Sequence, residues 1–196
     1  PVVLTIAGFD PTSGAGVTAD IKTIAAHGCY GVSAITALTV QSTTGVGQVH
    51  PVEPELLTAT LEELAADLEI AAVHIGMLAN GVLVRALITY LENSRPPNIV
   101  LDPILRSSSG AELLDSPGRK VLKERLLPLC TVVTPNIDEA AELSETTVTN
   151  LDQMRSAAQA FHNLGSSAVV ITGGHLDQAI DLLSFTTVKR IEQETF

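Results

Sequence analysis

Short apolar runs alternate with longer stretches in which apolar residues recur every third or fourth position, and the alternation covers most of the chain. Val2 to Ala7 reads as a buried strand. A helix is expected from about Gly14 to His27, with Val17, Ile21 and Ile24 forming its apolar face. Val32 to Val40 is β-rich enough for a second strand, and the QSTTGVGQVHPV that follows has the Gly, Thr and Val content of a small extended flap. Pro54 suits a first helical position, and Leu57, Leu61, Leu64 and Leu68 recur at helical spacing behind it.

The pattern then repeats. Val73 to Ile75 is a strand, and Asn80 can cap a helix whose Val84, Leu87, Ile88 and Leu91 face the core. Asn98 to Leu101 is a strand ending at Asp102-Pro103, and Ser116-Pro117 starts a helix through Leu127. Thr131 to Val133 is a strand ending at Pro135-Asn136. Asn150 marks the start of a helix carrying Met154, Ala158 and Phe161, with Gln153 in the position that completes a capping pattern. Ala168 to Ile171 is a strand running into TGGH, and Ile180 to Phe185 with Thr187 to Ile191 reads as a hairpin at the far side of the sheet. Strands alternating with helices in this way predict an α/β domain with a mostly parallel sheet. The sequence stops at EQETF, just after a predicted strand. Parallel sheets need both faces covered, so one layer is expected to be incomplete or supplied by residues beyond Phe196.

Composition narrows the class. At 196 residues the chain can bury roughly 70% of its unfolded surface, which allows one domain with a full core. Apolar residues make up 45% and aromatics only 3%, so Leu, Ile, Val and Ala must build that core. A net charge of -11 opposes broad attraction to nucleic acid or to an anionic membrane. No apolar run is long enough for a membrane helix. Cys29 and Cys130 lie far apart without ligand-like spacing and are expected to be buried thiols of a cytoplasmic protein.

Candidate chemistry gathers at strand ends. The stretch GFDPTSGAGVTAD joins the first strand to the first helix through an acidic, glycine-rich turn, and such turns let the backbone approach a ligand at the carboxyl edge of a sheet. Counted at about 100° per residue from Val17, Asp20 lies about 60° from the centre of the apolar stripe. It must find donors or face a cleft, unless it is a flanking surface acid. Asp10 in FDPTSG also reads as an acid accepting from N–H groups of its own turn. Gln41 could offer a donor and an acceptor to one edge of a heteroaromatic ring. Asp102 sits at a strand end before proline, where it serves either turn formation or phosphate and Mg2+ electrostatics. Asn136 and Glu139 can form a reciprocal helix cap, or hold water of a Mg2+ ion. Thr172, Gly173 and Gly174 follow another strand as a plain turn or a cradle of N–H groups for phosphate. The P-loop and dinucleotide patterns are absent from the sequence, and His27, His50, His74, His162 and His175 show no H-E-x-x-H arrangement.

The segments LTIAGFDPTSGAGVTADIKT, GVSAITALTVQST, HIGML, VLDPI, TPNIDEAAEL and VVITGGHLD, in this order, resemble those of bacterial hydroxymethylpyrimidine/phosphomethylpyrimidine kinases of the ribokinase-like superfamily. The resemblance covers essentially the whole chain. It implies a three-layer αβα sandwich in a single domain with a mostly parallel central sheet. It also implies phosphoryl transfer from ATP, with Mg2+, to 4-amino-5-hydroxymethyl-2-methylpyrimidine and then to its monophosphate, in thiamine synthesis. By the same resemblance Asp20 and Gln41 hold the pyrimidine, with Gly8, Met77 and Ile104 lining its pocket. Asp102, Asn136 and Glu139 serve Mg2+ and the ATP phosphates, and Thr172, Gly173 and Gly174 lie on the nucleotide side. A homodimer is implied as well. Two departures stand out: Thr172 occupies a position where the family supplies a lysine, and the family's glycine-rich anion hole and closing helices are expected beyond Phe196. No catalytic base can be assigned without them. The nearest alternatives are a pyridoxine or pyridoxal kinase and a non-catalytic pyrimidine-binding domain.

Overall fold

Strand β1, Val2–Phe9, lies inside the sheet and pairs in parallel on both sides, with β2 (Tyr30–Ser42) and with β4 (Ile70–Ile75). The computed structural model describes residues 1–107, 109–174, 179–186 and 191–195. Beyond β2 the flap strand β3 (Gly45–Pro51) is antiparallel. Beyond β4 come parallel strands β5 (Ile99–Leu101), β6 (Val132–Val133) and β7 (Ala168–Ile171), then antiparallel β8 (Leu182–Thr186) and β9 (Ile191–Thr195). The order is β3-β2-β1-β4-β5-β6-β7-β8-β9. Since β2 and β4 flank β1 on opposite sides, the chain reverses direction at β1/β4, and the carboxyl ends of these two strands open a crevice. The expected α/β class with its mostly parallel sheet and small flap is the one observed.

The helices form where periodicity and caps coincide. Helix α1 covers Gly16–Ala26, α2 Pro54–Asp67, α3 Gly81–Ser94, α4 Ser116–Val121, α5 Ile137–Ser144 and α6 Leu151–Asn163. Asn80 accepts from the N–H groups of Val82 and Leu83 at 3.0 Å, and Asn150 accepts from Gln153 at 3.0 Å, as their positions predict. Pro54 sits at the start of α2, where its missing N–H has no partner to lose. Helix α1 starts later than Gly14 because Gly16 has φ +61 and the N–H groups of Gly14 and Ala15 turn to Asp10 instead of joining the helix. The helix predicted through Leu127 is interrupted: α4 gives way to a π-helical turn, Leu122–Leu126, and a 3-10 turn, Leu127–Leu129. Pro128 lacks an N–H and crowds the preceding turn, so an α-helix cannot continue there. Of the second hairpin arm expected at Thr187 to Ile191, residues 187–190 lie outside the described residues, as does His175; the strand observed is β9.

Burial shows where the layers lie. In β1 the consecutive residues Leu4, Thr5, Ile6 and Ala7 are all at most 2% exposed, so both faces are covered. From β4 onward one face is buried, with Val73, Ile75, Leu101, Val133 and Ile171 at 0% exposure, while His74, Val100, Val132 and Val170 on the other are only half-buried. Helix α1 packs on β1 and β2, and the face holding Thr5 continues beyond it through His74, which pairs with Thr5 in register. Cys130 is buried and its thiol is pushed up to about 12 by loss of solvation. Cys29, expected to be buried too, is half-exposed because it follows the turn at Gly28 that leaves α1. Among the described residues no helix is long and apolar enough to cross a membrane.

Candidate active site

A cavity of about 650 Å³ opens over the reversal point of the sheet, within the size range of small-molecule sites. Its walls come from the ends of β1, β4, β5, β6 and β7, from the start of α1 and from the flap. Gly8, Asp20, Gln41, Met77, Ile104, Asp102, Asn136, Glu139 and Thr172 all line it. Gly173 and Gly174 do not. The Gly173 N–H, which the phosphate-cradle reading requires, donates instead to Asp181 Oδ1 at 3.0 Å.

The turn after β1 is organised by Asp10. Its carboxylate accepts from Thr12 N at 2.8 Å, Thr12 Oγ1 at 2.9 Å, Gly14 N at 3.2 Å and Ala15 N at 3.0 Å. Burial works to raise its pKa, but these donors hold the carboxyl below its ordinary value. Asp10 therefore shapes the turn, and its acceptor capacity is taken up internally. Gly16 brings the loop against β1 so closely that a Cβ there would collide with the Gly8 carbonyl oxygen. The same economy of space operates at Gly8, where a Cβ would meet the Met77 methyl.

Asp20 projects from α1 toward the sheet. Its Oδ2 accepts from Thr5 Oγ1 at 2.6 Å and lies 3.4 Å from His74 Nδ1. Burial opposes ionisation, yet the hydrogen bonds from His74 and Thr5 keep Asp20 below the usual carboxylate range. His74 in turn is desolvated, which disfavours its cation, but its contact with Asp20 and the charges of Asp20 and Asp102 raise its pKa. Gln41 Oε1, also on the cavity wall, lies 3.1 Å from Thr39 Oγ1, whose single hydroxyl proton also faces the Phe9 carbonyl oxygen at 2.9 Å.

The remaining acids of the cavity wall differ in their surroundings. Asn136 and Glu139 form the reciprocal cap of α5: Asn136 Oδ1 accepts from Glu139 N at 2.9 Å, and Glu139 Oε2 accepts from Asn136 N at 3.0 Å. Glu139 Oε1 also lies 3.4 Å from Leu105 N. The side chain thus caps the helix and faces the cavity at once. Burial pushes its carboxyl up to about 7, against the two N–H donors and with help from the charges of Asp102 and Asp138. The Asp102 carboxylate accepts no hydrogen bond among the described residues, and its pKa is raised by burial, which outweighs the nearby His74 charge. Hard carboxylate oxygens of this kind suit Mg2+. Among the described residues no three His, Cys, Asp or Glu side chains converge into a metal cage.

Sequence reasoning missed Thr5, His74 and Arg106. Arg106 lines the cavity and donates to Glu142 Oε2 at 2.7 Å, while Glu142 Oε1 accepts from Arg119 at 2.7 Å. A polar residue inside an apolar strand, such as Thr5 in VVLTIAGF or His74 in IAAVHI, was the available signal.

The chain is similar to known proteins along most of its length. A family model described as phosphomethylpyrimidine kinase matches residues 10–195. The hydroxymethylpyrimidine/phosphomethylpyrimidine kinase of Aquifex aeolicus is 41% identical over 93% of this chain and 72% of its own length. That of Haemophilus influenzae is 40% identical over 88% of this chain and 64% of its own length. The chain therefore spans about two thirds of such relatives. Among solved structures, the phosphomethylpyrimidine kinase of Clostridium difficile superposes with a TM-score of 0.90 at 36% identity, covering 98% of this chain and 83% of that one. An ADP complex of Bacillus subtilis pyridoxal kinase gives 0.87 at 31% identity, covering 100% and 74%. The fold is accordingly the ribokinase-like αβα sandwich, and the chain belongs to the phosphomethylpyrimidine kinase family.

Proposed function

We propose that the protein takes part in ATP-dependent phosphorylation of 4-amino-5-hydroxymethyl-2-methylpyrimidine and its monophosphate, the kinase reaction of thiamine synthesis. The observation that carries this reading is that one cavity gathers groups suited to a ring and groups suited to a metal. Asp20, the Gln41 amide, the apolar Met77 and Ile104 and the open backbone at Gly8 line it together with Asp102 and Glu139. A flat heteroaromatic ring with an amino donor and a ring-nitrogen acceptor matches an acid and an amide facing it. Its hydroxymethyl oxygen would then form the new P–O bond and release its proton, as the bond between the γ-phosphorus and the ADP oxygen breaks.

Mg2+ bound with the phosphates would supply charge stabilisation for the transferring group. Asp102 and Glu139 would hold it, with Asn136 beside them, and the uncommitted Asp102 carboxylate fits that role. Two carboxylates with the remaining positions filled by phosphate and water is the usual manner of Mg2+ binding at such sites. Thr172, exposed on the cavity wall, can donate one hydrogen bond to phosphate but cannot neutralise charge. Nucleotide binding here would rely on the metal and on backbone N–H groups.

A homodimer and a cytoplasmic location belong to the same reading. Leu38 and Val40 on β2, 51% and 58% exposed, give the sheet edge beside the flap an apolar surface suited to a second copy. Sedimentation would test the dimer, and a monomer at micromolar concentration would remove it.

Calorimetric titration with the hydroxymethylpyrimidine and, separately, with pyridoxal tests the substrate. The pyrimidine should bind at least tenfold more tightly, and Asp20→Ala should weaken it by about 2 kcal/mol or more through loss of a charged acceptor. Pyridoxal binding as tightly would transfer the reading to the pyridoxal kinases, whose structures this fold also matches. ADP release by the full-length protein separates an enzyme from a binding domain.

A further inference from the structure

Three elements meet at one carboxylate oxygen. Thr5 on β1 and His74 on β4 are paired across the sheet, so their side chains share a face, and α1 brings Asp20 onto that face. The Thr5 hydroxyl and His74 Nδ1 both address Asp20 Oδ2, at 2.6 Å and 3.4 Å, while nothing among the described residues hydrogen-bonds to Oδ1. The Asp20 side chain is 21% exposed, and its exposed part belongs to the cavity wall. Thr5 is fully buried and cannot reach a ligand.

We propose that His74, seconded by Thr5, is a positioning residue for substrate recognition: together they hold one oxygen of Asp20 so that the other is presented to an amino group on the heteroaromatic substrate. This rests on the pyrimidine reading above and deepens it. An acid free to rotate could offer either oxygen, or turn toward the N–H groups of the neighbouring turn. The Thr5 hydrogen bond and the His74 ring 3.4 Å from the same oxygen remove that freedom, and the remaining oxygen selects rings that carry an N–H donor beside the hydroxymethyl group. His74, on β4 and itself on the cavity wall, thereby sets ligand class through Asp20.

The test is calorimetric binding by the full chain, with thermal melting of each variant alongside. His74→Ala should raise the Kd for 4-amino-5-hydroxymethyl-2-methylpyrimidine about tenfold or more, the scale of a disturbed charged hydrogen bond. The Kd for a nonhydrolysable ATP analogue with Mg2+ should not move. His74→Asn places an amide N–H where Nδ1 stands and should return the pyrimidine Kd to within about threefold of the original; His74→Gln, whose N–H lies one atom further out, should not. Should the alanine variant fail to fold, Thr5→Val removes one donor at nearly constant volume and should weaken the pyrimidine in the same selective way. A 4-desamino analogue should bind the parent weakly and lose nothing further in His74→Ala. Equal pyrimidine affinity in parent and His74→Ala overturns the positioning role alone, as does a loss shared by nucleotide and pyrimidine. A parent protein that binds no pyrimidine refutes the functional reading and this inference with it.

Discussion

Replacing Glu139 by Gln tests the electrostatics of the cavity without changing its shape. In the folded protein the Glu139 carboxyl lies at about 7 against an ordinary value of 4.5, because it is only 6% exposed. Between those two values the folded chain keeps its proton while the unfolded chain has released it, so the unfolded state binds fewer protons and stability falls as pH rises. At about 1.4 kcal/mol per pH unit, this interval removes about 3 kcal/mol by pH 8 and nothing below pH 4.5. Glutamine cannot ionise and escapes that loss. Its Oε1 can still accept from Asn136 N, but its NH2 would face Leu105 N and forfeit that contact, at about 1 kcal/mol. The variant should therefore be about 2 kcal/mol more stable than the parent at pH 8 and about 1 kcal/mol less stable at pH 4.5.

The assay is urea unfolding followed by circular dichroism across that range, with a chelator present. Melting temperatures would move roughly 2–4 °C per kcal/mol for a chain of this size. Asp102 and His74, whose folded pKa values are also raised, weaken folding with rising pH too, His74 through the range that begins near 6.5. The His74 contribution is common to parent and variant, so the difference between the two profiles reports Glu139 together with its coupling to Asp102. Parallel profiles from pH 4.5 to 8 would refute the argument. A crossing near about pH 5 would mean that this family member keeps a carboxylate where an amide folds better, as expected of a group retained for binding rather than for stability.

Further outcomes follow from the same geometry. Gly16→Ala should destabilise the protein by at least about 2 kcal/mol, since alanine is strained at φ +61 and its Cβ would collide with the Gly8 carbonyl; an unchanged urea midpoint would contradict the close approach of loop and strand. Thr172→Lys should tighten an ATP analogue by about tenfold by adding a charged donor at the cavity wall. The pyrimidine Kd should stay constant in the same titration, and no gain for the nucleotide would move Thr172 away from the phosphates.

Local chemistry was legible in the chain. Asn80, Asn150 and the Asn136–Glu139 pair announce helix starts because a cap is satisfied within three residues of itself, and Pro54 does so because its ring presets one dihedral. The apolar run of β1 and the leucine spacing of α2 likewise follow from burial at a single period. Asp20 could be placed near an apolar face, and its need for donors followed from that placement alone. The break after Val121 was harder to read, because Leu122, Leu126 and Leu127 continue the helical spacing and are buried regardless of how the turns close.

Which groups meet which was decided only by the tertiary structure. The Thr5–His74 contact depends on the register of two strands brought together across the sheet, and no spacing within the chain encodes that register. The Gly173 N–H looked free for phosphate until β8 placed Asp181 beside it. Glu139 read as a cap or as a metal ligand, and the fold sets its carboxylate between Asn136 and Leu105 while turning it to the cavity. Periodicity and capping act within a turn or two, so the sequence determines element types and their buried faces. Hydrogen-bond partners and shifted pKa values depend on distances between elements, which exist only once the sheet has assembled.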